Sequence, residues 1–282
     1  MTTEHTTVAP NPLPPGELVG QVALVTGGGS GLGRAITLRL AREGAHIAIF
    51  DINPNGLAET CALIEQASPS VRVLPIAADV CNESAVVAAF ERTLGELGQL
   101  DIVVSNAGLI RAAPIEDSTL EQWDLQFGVL VTGYYLVARQ AFRVWKHQGT
   151  SGRMVFITSK NAVVASSGAS IYSAAKAAEQ HLARCLAEEG GPFGIRVNCV
   201  MPDGVIRGTN IIPPEELERY AARHGVKPED LDEFYRKRNT LKVNITPEDV
   251  AEAVLFLVST KSAKTTGAAL TVDGGVTAAY LR

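Results

Sequence analysis

The chain has 282 residues, 46% of them apolar but only 6% aromatic, so Ala, Val, Leu and Ile must build its core. That mix suits a parallel sheet buried beneath helices on both faces. Its 25 basic and 30 acidic side chains leave a formal charge of −5 with no sustained basic run, which argues against nucleic acid or an anionic membrane as partner.

Pro10, Pro12, Pro14 and Pro15 remove backbone donors and fix φ, so residues 1–19 are predicted to be an extended, mobile leader. This leader lacks the basic start and apolar run of a secretory signal. Order is expected to begin at Val22. Short β-branched runs then start at Val22 (VALVTG), His46 (HIAIFD), Val71 (VRVLPIAADV), Leu100 (LDIVVSNAG), Arg153 (RMVFITS), Ile195 (IRVNCV) and Ala269 (ALTVDGG). Stretches of helical period separate them, such as RAITLRLAREGA and ESAVVAAFERTLGELG. Regular β–α alternation predicts an α/β fold, a single-domain, doubly wound parallel sheet of the Rossmann kind spanning residues 20–282. One charged stretch, residues 205–246, interrupts the rhythm after the sixth strand. It reads as two helical pieces placed over the carboxyl ends of the strands, where such sheets bind ligands. A substrate lid is expected there, with a solvated excursion as the alternative.

No apolar run approaches the ~20 residues of a membrane span. Cys61, Cys81, Cys185 and Cys199 show neither a CxxC pair nor metal-ligand spacing, and His181 with Cys185 supplies too few ligands for zinc. Free thiols in a cytoplasmic protein, and no metal, are the expectation.

The first strand runs into Thr26-Gly-Gly-Gly-Ser-Gly-Leu-Gly33, and a helix follows. Glycines at such a turn let the backbone approach a pyrophosphate, whose charge the helix N-terminus meets. The frame is TGxxxGxG, with Gly27, Gly31 and Gly33. Asp51 closes the second strand 18 residues past Gly33. An acid there can accept hydrogen bonds from ribose hydroxyls and repel a 2′-phosphate. No base follows it at Ile52 or Asn53, so NAD is favoured over NADP. A helix-cap role for Asp51 is the alternative.

Tyr172 and Lys176 stand four apart in an alanine-rich helical segment, and so share a face. A cation beside the phenol favours tyrosinate and lowers a pKa that is ~10 unperturbed. Ser159 lies 13 residues earlier, at the end of the fifth strand, placed to hold a substrate oxygen or else to cap a helix.

These motifs, together with AADV (Asp79), SNAG (Asn106) and the terminal VDGG, resemble the short-chain dehydrogenase/reductase family in order and spacing over Val22–Gly275. The resemblance implies that Gly27, Ser30, Leu32 and Gly33 cradle the dinucleotide and that Asp79 and Val80 lie along the adenine. Asn106, Ala107 and Gly108 would line the ribose, Pro202 and Val205 the carboxamide, and Tyr172 and Lys176 the nicotinamide ribose. It implies hydride transfer with Tyr172 as acid/base, Ser159 orienting the substrate oxygen, and a homotetramer.

Two stretches depart from that family's pattern. Leu130 stands where an asparagine commonly serves a proton relay to the lysine. In Pro202-Asp-Gly-Val-Ile-Arg207, Asp203 replaces a glycine and Arg207 a threonine. SKNAVV, EFYRKRNTLK and SAKTTGAALTVDGG narrow the resemblance to the dehydrogenase half of bifunctional rhamnulose-phosphate aldolase/lactaldehyde dehydrogenases. The chain begins about twenty residues before its first strand, so a free-standing enzyme is expected. Its substrate would be a sugar, deoxysugar acid or hydroxyaldehyde. Lys160 and Asn161 after Ser159, Arg111 after SNAG, and Asp203 and Arg207 are the substrate-side candidates. The three cations could meet an anionic group, or could pair with lid acids such as Glu215 and Glu216. A reductase of non-sugar ketones and an NAD-binding regulator without turnover remain the alternatives. Leu130 keeps the second in play, and the intact Ser159-Tyr172-Lys176 set argues against it.

Overall fold

Seven runs rich in β-branched residues become parallel strands: β1 (Val22–Thr26), β2 (His46–Asp51), β3 (Val73–Ala77), β4 (Ile102–Ser105), β5 (Arg153–Ile157), β6 (Arg196–Pro202) and β7 (Ala269–Val272). They lie in one sheet in the order β3-β2-β1-β4-β5-β6-β7. The structure, a computed structural model, describes residues 16–209 and 211–279. Residues 1–15 of the predicted leader lie outside them. The leader's last residues are tied down: Leu18 is fully buried, and the Gly16 and Glu17 N–H groups donate to the Glu43 carboxylate. Order therefore begins earlier than Val22, because an apolar side chain there completes the core beneath the first helix.

Every residue of β1 and β4 is buried, whereas the edge strand β3 alternates. That contrast follows from covering both faces of a parallel sheet while leaving an edge in water. On one face pack α1 (Gly31–Arg42), α2 (Pro54–Ala67) and α9 (Pro247–Val258), through Ile36, Leu40, Leu57, Ile64, Val250 and Val254. On the other pack α3 (Glu83–Leu97), α5 (Tyr134–Gln148) and α6 (Ser170–Gly190), through Phe90, Val137, Trp145 and Ala183.

Chain order reverses between β1 and β4, which opens a crevice at their carboxyl ends. A polar latch closes the sheet there. The N–H groups of Asn106 and Ala107 donate to the Thr26 hydroxyl at 2.9 and 3.0 Å. The Asn106 amide reaches back to the Thr26 and Gly27 carbonyls at 3.0 and 3.3 Å.

Two segments shape the rim of that crevice. The helix α4 (Leu120–Phe127) runs into α5 through one π-helical turn, Gly128–Gly133, with Leu130 buried inside it. Between β6 and α9 stand two short helices, α7 (Leu217–Arg223) and α8 (Leu231–Arg238).

Trp145 anchors the α5 layer: it is fully buried, and its indole N–H donates to the Leu100 carbonyl at 3.1 Å. Trp145→Ala is expected to lower unfolding stability by about 3–5 kcal/mol, measured by denaturant unfolding.

Candidate active site

A cavity of about 360 Å³ fills the crevice. Gly27, Ser30, Gly31 and Leu32 line one end. The local sequence dictates this turn: Gly27 and Gly31 have φ of +67° and +54°, a region that side chains with a Cβ avoid. Gly33 is not on the wall. A Cβ there would come within 2.0 Å of the Gly27 carbonyl oxygen, so this glycine is needed for packing of the turn on α1. The first turn of α1 carries no acid, and Ser30 makes no side-chain cap. The N–H groups at that helix start are thus left for a ligand, an arrangement suited to a phosphate.

Asp51 and Ile52 form the adjoining rim. The Asp51 carboxylate accepts from the Gly29 and Asn53 N–H groups, both at 2.9 Å, which fixes it beside the glycine turn. Arg34 is bonded to Thr60 at 2.9 Å, to Glu59 at 2.7 Å and to the Gly29 carbonyl at 2.5 Å. Asp79 and Val80, after β3, and Asn106, Ala107 and Gly108, after β4, continue the wall. These groups fit a dinucleotide: a glycine cradle without side chains, uncapped helix donors, and an acid where ribose hydroxyls would lie. Among the described residues no three His, Cys, Asp or Glu side chains gather as metal ligands.

The other half of the cavity brings together Ser159, Lys160 and Asn161 after β5, Tyr172 and Lys176 on α6, and Pro202, Asp203 and Val205 at the end of β6. The Ser159 hydroxyl faces the Tyr172 phenol and favours its ionisation. It also accepts from the Asn161 N–H at 3.1 Å, so the cap reading of Ser159 is realised as well.

The phenol itself departs from the sequence expectation. Burial pushes the Tyr172 pKa above its ordinary value, and the Glu179 carboxylate pushes it further. The Lys176 ammonium behind the phenol is shared with two other groups. It donates to both Glu179 oxygens at 3.0 Å and to the Ile157 carbonyl at 2.9 Å, and sits 5.7 Å from the centre of the Tyr172 ring. Glu179, fully buried, has its own pKa pushed up to about 8 by burial, against the pull of Lys176.

Of the three cations expected to face substrate, only Lys160 lines the cavity. Arg111 pairs with Glu216 at 3.5 Å, and Arg207, 77% exposed, pairs with Asp232. Both are held by acids of the 205–246 segment. Arg223 and Arg238 line the cavity instead. The signal for them is a repeated YxxR: Tyr220-Ala-Ala-Arg223 on α7 and Tyr235-Arg-Lys-Arg238 on α8. Spacing of three on a helix puts each pair on one face. Each guanidinium lies over its own tyrosine ring, at 5.1 and 4.9 Å, and the two phenols meet at 2.5 Å.

Asp203 sits between two cations, 3.7 Å from Lys160 and 3.2 Å from Arg238. Burial raises its pKa although both neighbours oppose that, and burial lowers the pKa of Lys160. His224, also on the wall, is lowered to about 4 by burial and by Arg223, Arg238 and Lys160. Its buried Nε2 has no partner among the described residues.

A family model described as enoyl-(acyl carrier protein) reductase matches residues 27–277. The chain belongs to the short-chain dehydrogenase/reductase family. It is therefore an oxidoreductase. The YuxG oxidoreductase of Bacillus subtilis is 49% identical over 98% of this chain, which spans only 40% of that relative's length. Sorbitol-6-phosphate 2-dehydrogenase of Escherichia coli is 33% identical, covering 90% of this chain and 98% of its own. Among solved structures, levodione reductase superposes with a TM-score of 0.86 at 30% identity, over 93% of this chain and all of that one. Carveol dehydrogenase from Mycobacterium avium, in complex with NAD, gives 0.86 and 30%, over 93% and 99% of the two chains.

The raised Glu179 pKa carries a stability consequence for this dehydrogenase/reductase. Between the ordinary value of 4.5 and about 8 the folded state holds a proton that the unfolded chain releases. That contribution is full below the lower value and is lost as pH rises through the upper one. Urea unfolding of the native chain and of Glu179→Gln, from about pH 5 to about pH 9, is expected to show the native chain losing stability relative to the variant.

Proposed function

We propose that this chain is an NAD-dependent dehydrogenase acting between hydroxyl and carbonyl forms of a small sugar-derived compound, with Tyr172 as the acid/base. The observation that carries the reading is one cavity holding the glycine turn with Asp51 at one end and Ser159, Tyr172 and Lys176 at the other. When bound, NAD supplies the hydride acceptor or donor. The residues do the rest. Gly27, Ser30, Gly31 and Leu32 receive the pyrophosphate, and Asp51 binds the ribose diol and disfavours a 2′-phosphate. Asp79, Val80 and Asn106–Gly108 pack along the adenosine half, and Pro202 and Val205 border the carboxamide. Ser159 orients the substrate oxygen, and Tyr172 gives or takes its proton. Solved relatives bound to NAD, carveol dehydrogenase and xylitol dehydrogenase, support the choice of cofactor.

A sugar-derived substrate is supported by the sorbitol-6-phosphate and xylitol dehydrogenase relatives. The length of the Bacillus subtilis relative beyond the matched part is consistent with the rhamnulose-phosphate aldolase/lactaldehyde dehydrogenase resemblance. The polar wall of Lys160, Asp203, Arg223, His224 and Arg238 suits a hydroxylated or acidic compound better than an apolar ketone. The two arginines, with Lys160, are the groups proposed to meet a carboxylate or phosphate. A second reading, reduction of a non-sugar ketone, draws on the levodione reductase likeness and the isoleucines Ile110, Ile206, Ile211 and Ile212 on the same cavity. The helices α7 and α8 serve as the lid in either case. A cytoplasmic homotetramer completes the proposal, and the exposed Trp123, Tyr135 and Phe256 offer apolar surface for assembly.

NADH formation on neutral sugars, sugar acids, sugar phosphates and hydroxyaldehydes tests the activity. Tyr172→Phe should lower kcat by about 10²–10⁴-fold on the substrate that responds. NAD is expected to outperform NADP, and Asp51→Ala to narrow that preference. Retained turnover in Tyr172→Phe would sink the assigned role. Arg223→Gln and Arg238→Gln should each raise KM for an acidic sugar about tenfold, and KM for its neutral parent less than about twofold. Equal effects on the two substrates would remove the anion-binding role.

A further inference from the structure

The Lys176–Glu179 pair has no counterpart in the pattern by which the family was recognised, and it lies directly behind the proposed acid/base. An ammonium has three protons to donate. Those of Lys176 meet both Glu179 oxygens at 3.0 Å and the Ile157 carbonyl at 2.9 Å. The Ile157 oxygen also accepts from the Tyr134 hydroxyl at 3.0 Å. Where an asparagine commonly stands in the family, the fully buried Leu130 presents only hydrocarbon. A buried carboxylate is costly unless paired, so its presence at zero exposure beside a functional lysine needs a reason beyond packing.

We infer that Glu179 is a positioning residue for Lys176: it fixes the ammonium behind Tyr172 and, by offsetting its charge, sets the pH range over which Tyr172 exchanges its proton. The inference rests on the reading of Tyr172 as acid/base.

The charges around Glu179 support this role. On its own helix it faces Lys176 and Tyr172; from α5 it faces Tyr134, and from β6 Cys199, whose thiol also feels Arg184. Lys176 and Arg184 are the cations of this set, and Lys176 makes the direct contact. Tyr134 and Cys199 are both pushed up by burial, so they stay neutral while Glu179 titrates. With Glu179 protonated, the Lys176 charge acts undiminished on the phenol. With Glu179 ionised, the pair is neutral and the phenol is less acidic. The group that switches is thus about two helical turns from Tyr172, with Lys176 between them, and it needs no contact with substrate.

The deciding measurement requires neither substrate nor added nucleotide. A polyfluorinated tyrosine at position 172, more acidic than tyrosine, is titrated by fluorine NMR in the full chain with and without Glu179→Gln. Glutamine keeps the shape and an acceptor oxygen but removes the charge. The phenol midpoint is expected to fall by about one pH unit in the glutamine variant. In the chain that keeps Glu179, the fluorine signal should bend earlier, as Glu179 ionises at about pH 8. That bend remains readable should the variant fail to fold. An unchanged midpoint, or no bend, overturns the inference and leaves Glu179 as packing. Once a substrate is in hand, the kcat/KM profile of Glu179→Gln should move to lower pH, while thermal melting confirms that the variant is folded. A chain that shows the fluorine shifts yet turns over nothing would refute the proposed function and keep the Glu179 role.

Discussion

The latch between Thr26 and Asn106 is the contact on which the rest of the site depends. It joins the carboxyl ends of β1 and β4, the paired strands between which chain order reverses and the crevice opens. One threonine hydroxyl satisfies two backbone donors, and one asparagine amide satisfies two successive carbonyls at the start of the glycine turn. The turn can therefore hold its left-handed glycines open toward a ligand without leaving buried polar groups unmet behind it. The proposed dinucleotide cradle and its floor are fixed relative to each other by the Thr26 and Asn106 side chains.

On the opposite side of the crevice the governing physics is desolvation. Lys160, Lys176, Glu179 and Asp203 are all buried or nearly so, and each keeps a charged partner close by. Single substitutions among them would strand a charge in a dry environment, which is more damaging than removing a pair together. The site consequently behaves as two linked charge clusters, one behind Tyr172 and one beneath α7 and α8.

The fold was legible because its signals are local and repeated. Seven β-branched runs and the glycine turn are read off adjacent residues, and each became the strand or turn expected. That Ser159, Tyr172 and Lys176 meet on one cavity was legible for a similar reason: fixed spacing on one strand end and one helix. The wall built by α7 and α8 was not. Which of the arginines between Arg207 and Arg238 turns inward depends on how two short helices dock. Arg207 looked well placed by its neighbours in sequence, yet Asp232 holds it outside. Glu179 was passed over because a glutamate in a helix is ordinarily a solvated one; only burial set it apart. The phenol acidity differs for a linked reason: the helical spacing of Tyr172 and Lys176 said nothing about the burial that raises the phenol's pKa, or about the Glu179 carboxylate that adds to it.

The single π turn at Gly128–Gly133 works as a phase adjuster between two helices that would otherwise be one rod. Each residue of an α-helix advances the chain by about 100°, so one extra residue re-aims everything on one side of the turn relative to the other. Upstream, that phase lets the buried Gln126 bond the Arg111 backbone at 3.1 and 3.2 Å. Downstream, it delivers the Tyr134 hydroxyl to the carbonyl that Lys176 also uses. A one-residue deletion there would leave a longer, more regular helix by every local measure, yet would rotate one of these two anchors out of register. The irregularity is a timing element, and its value lies in the angle it sets between two halves of the same wall.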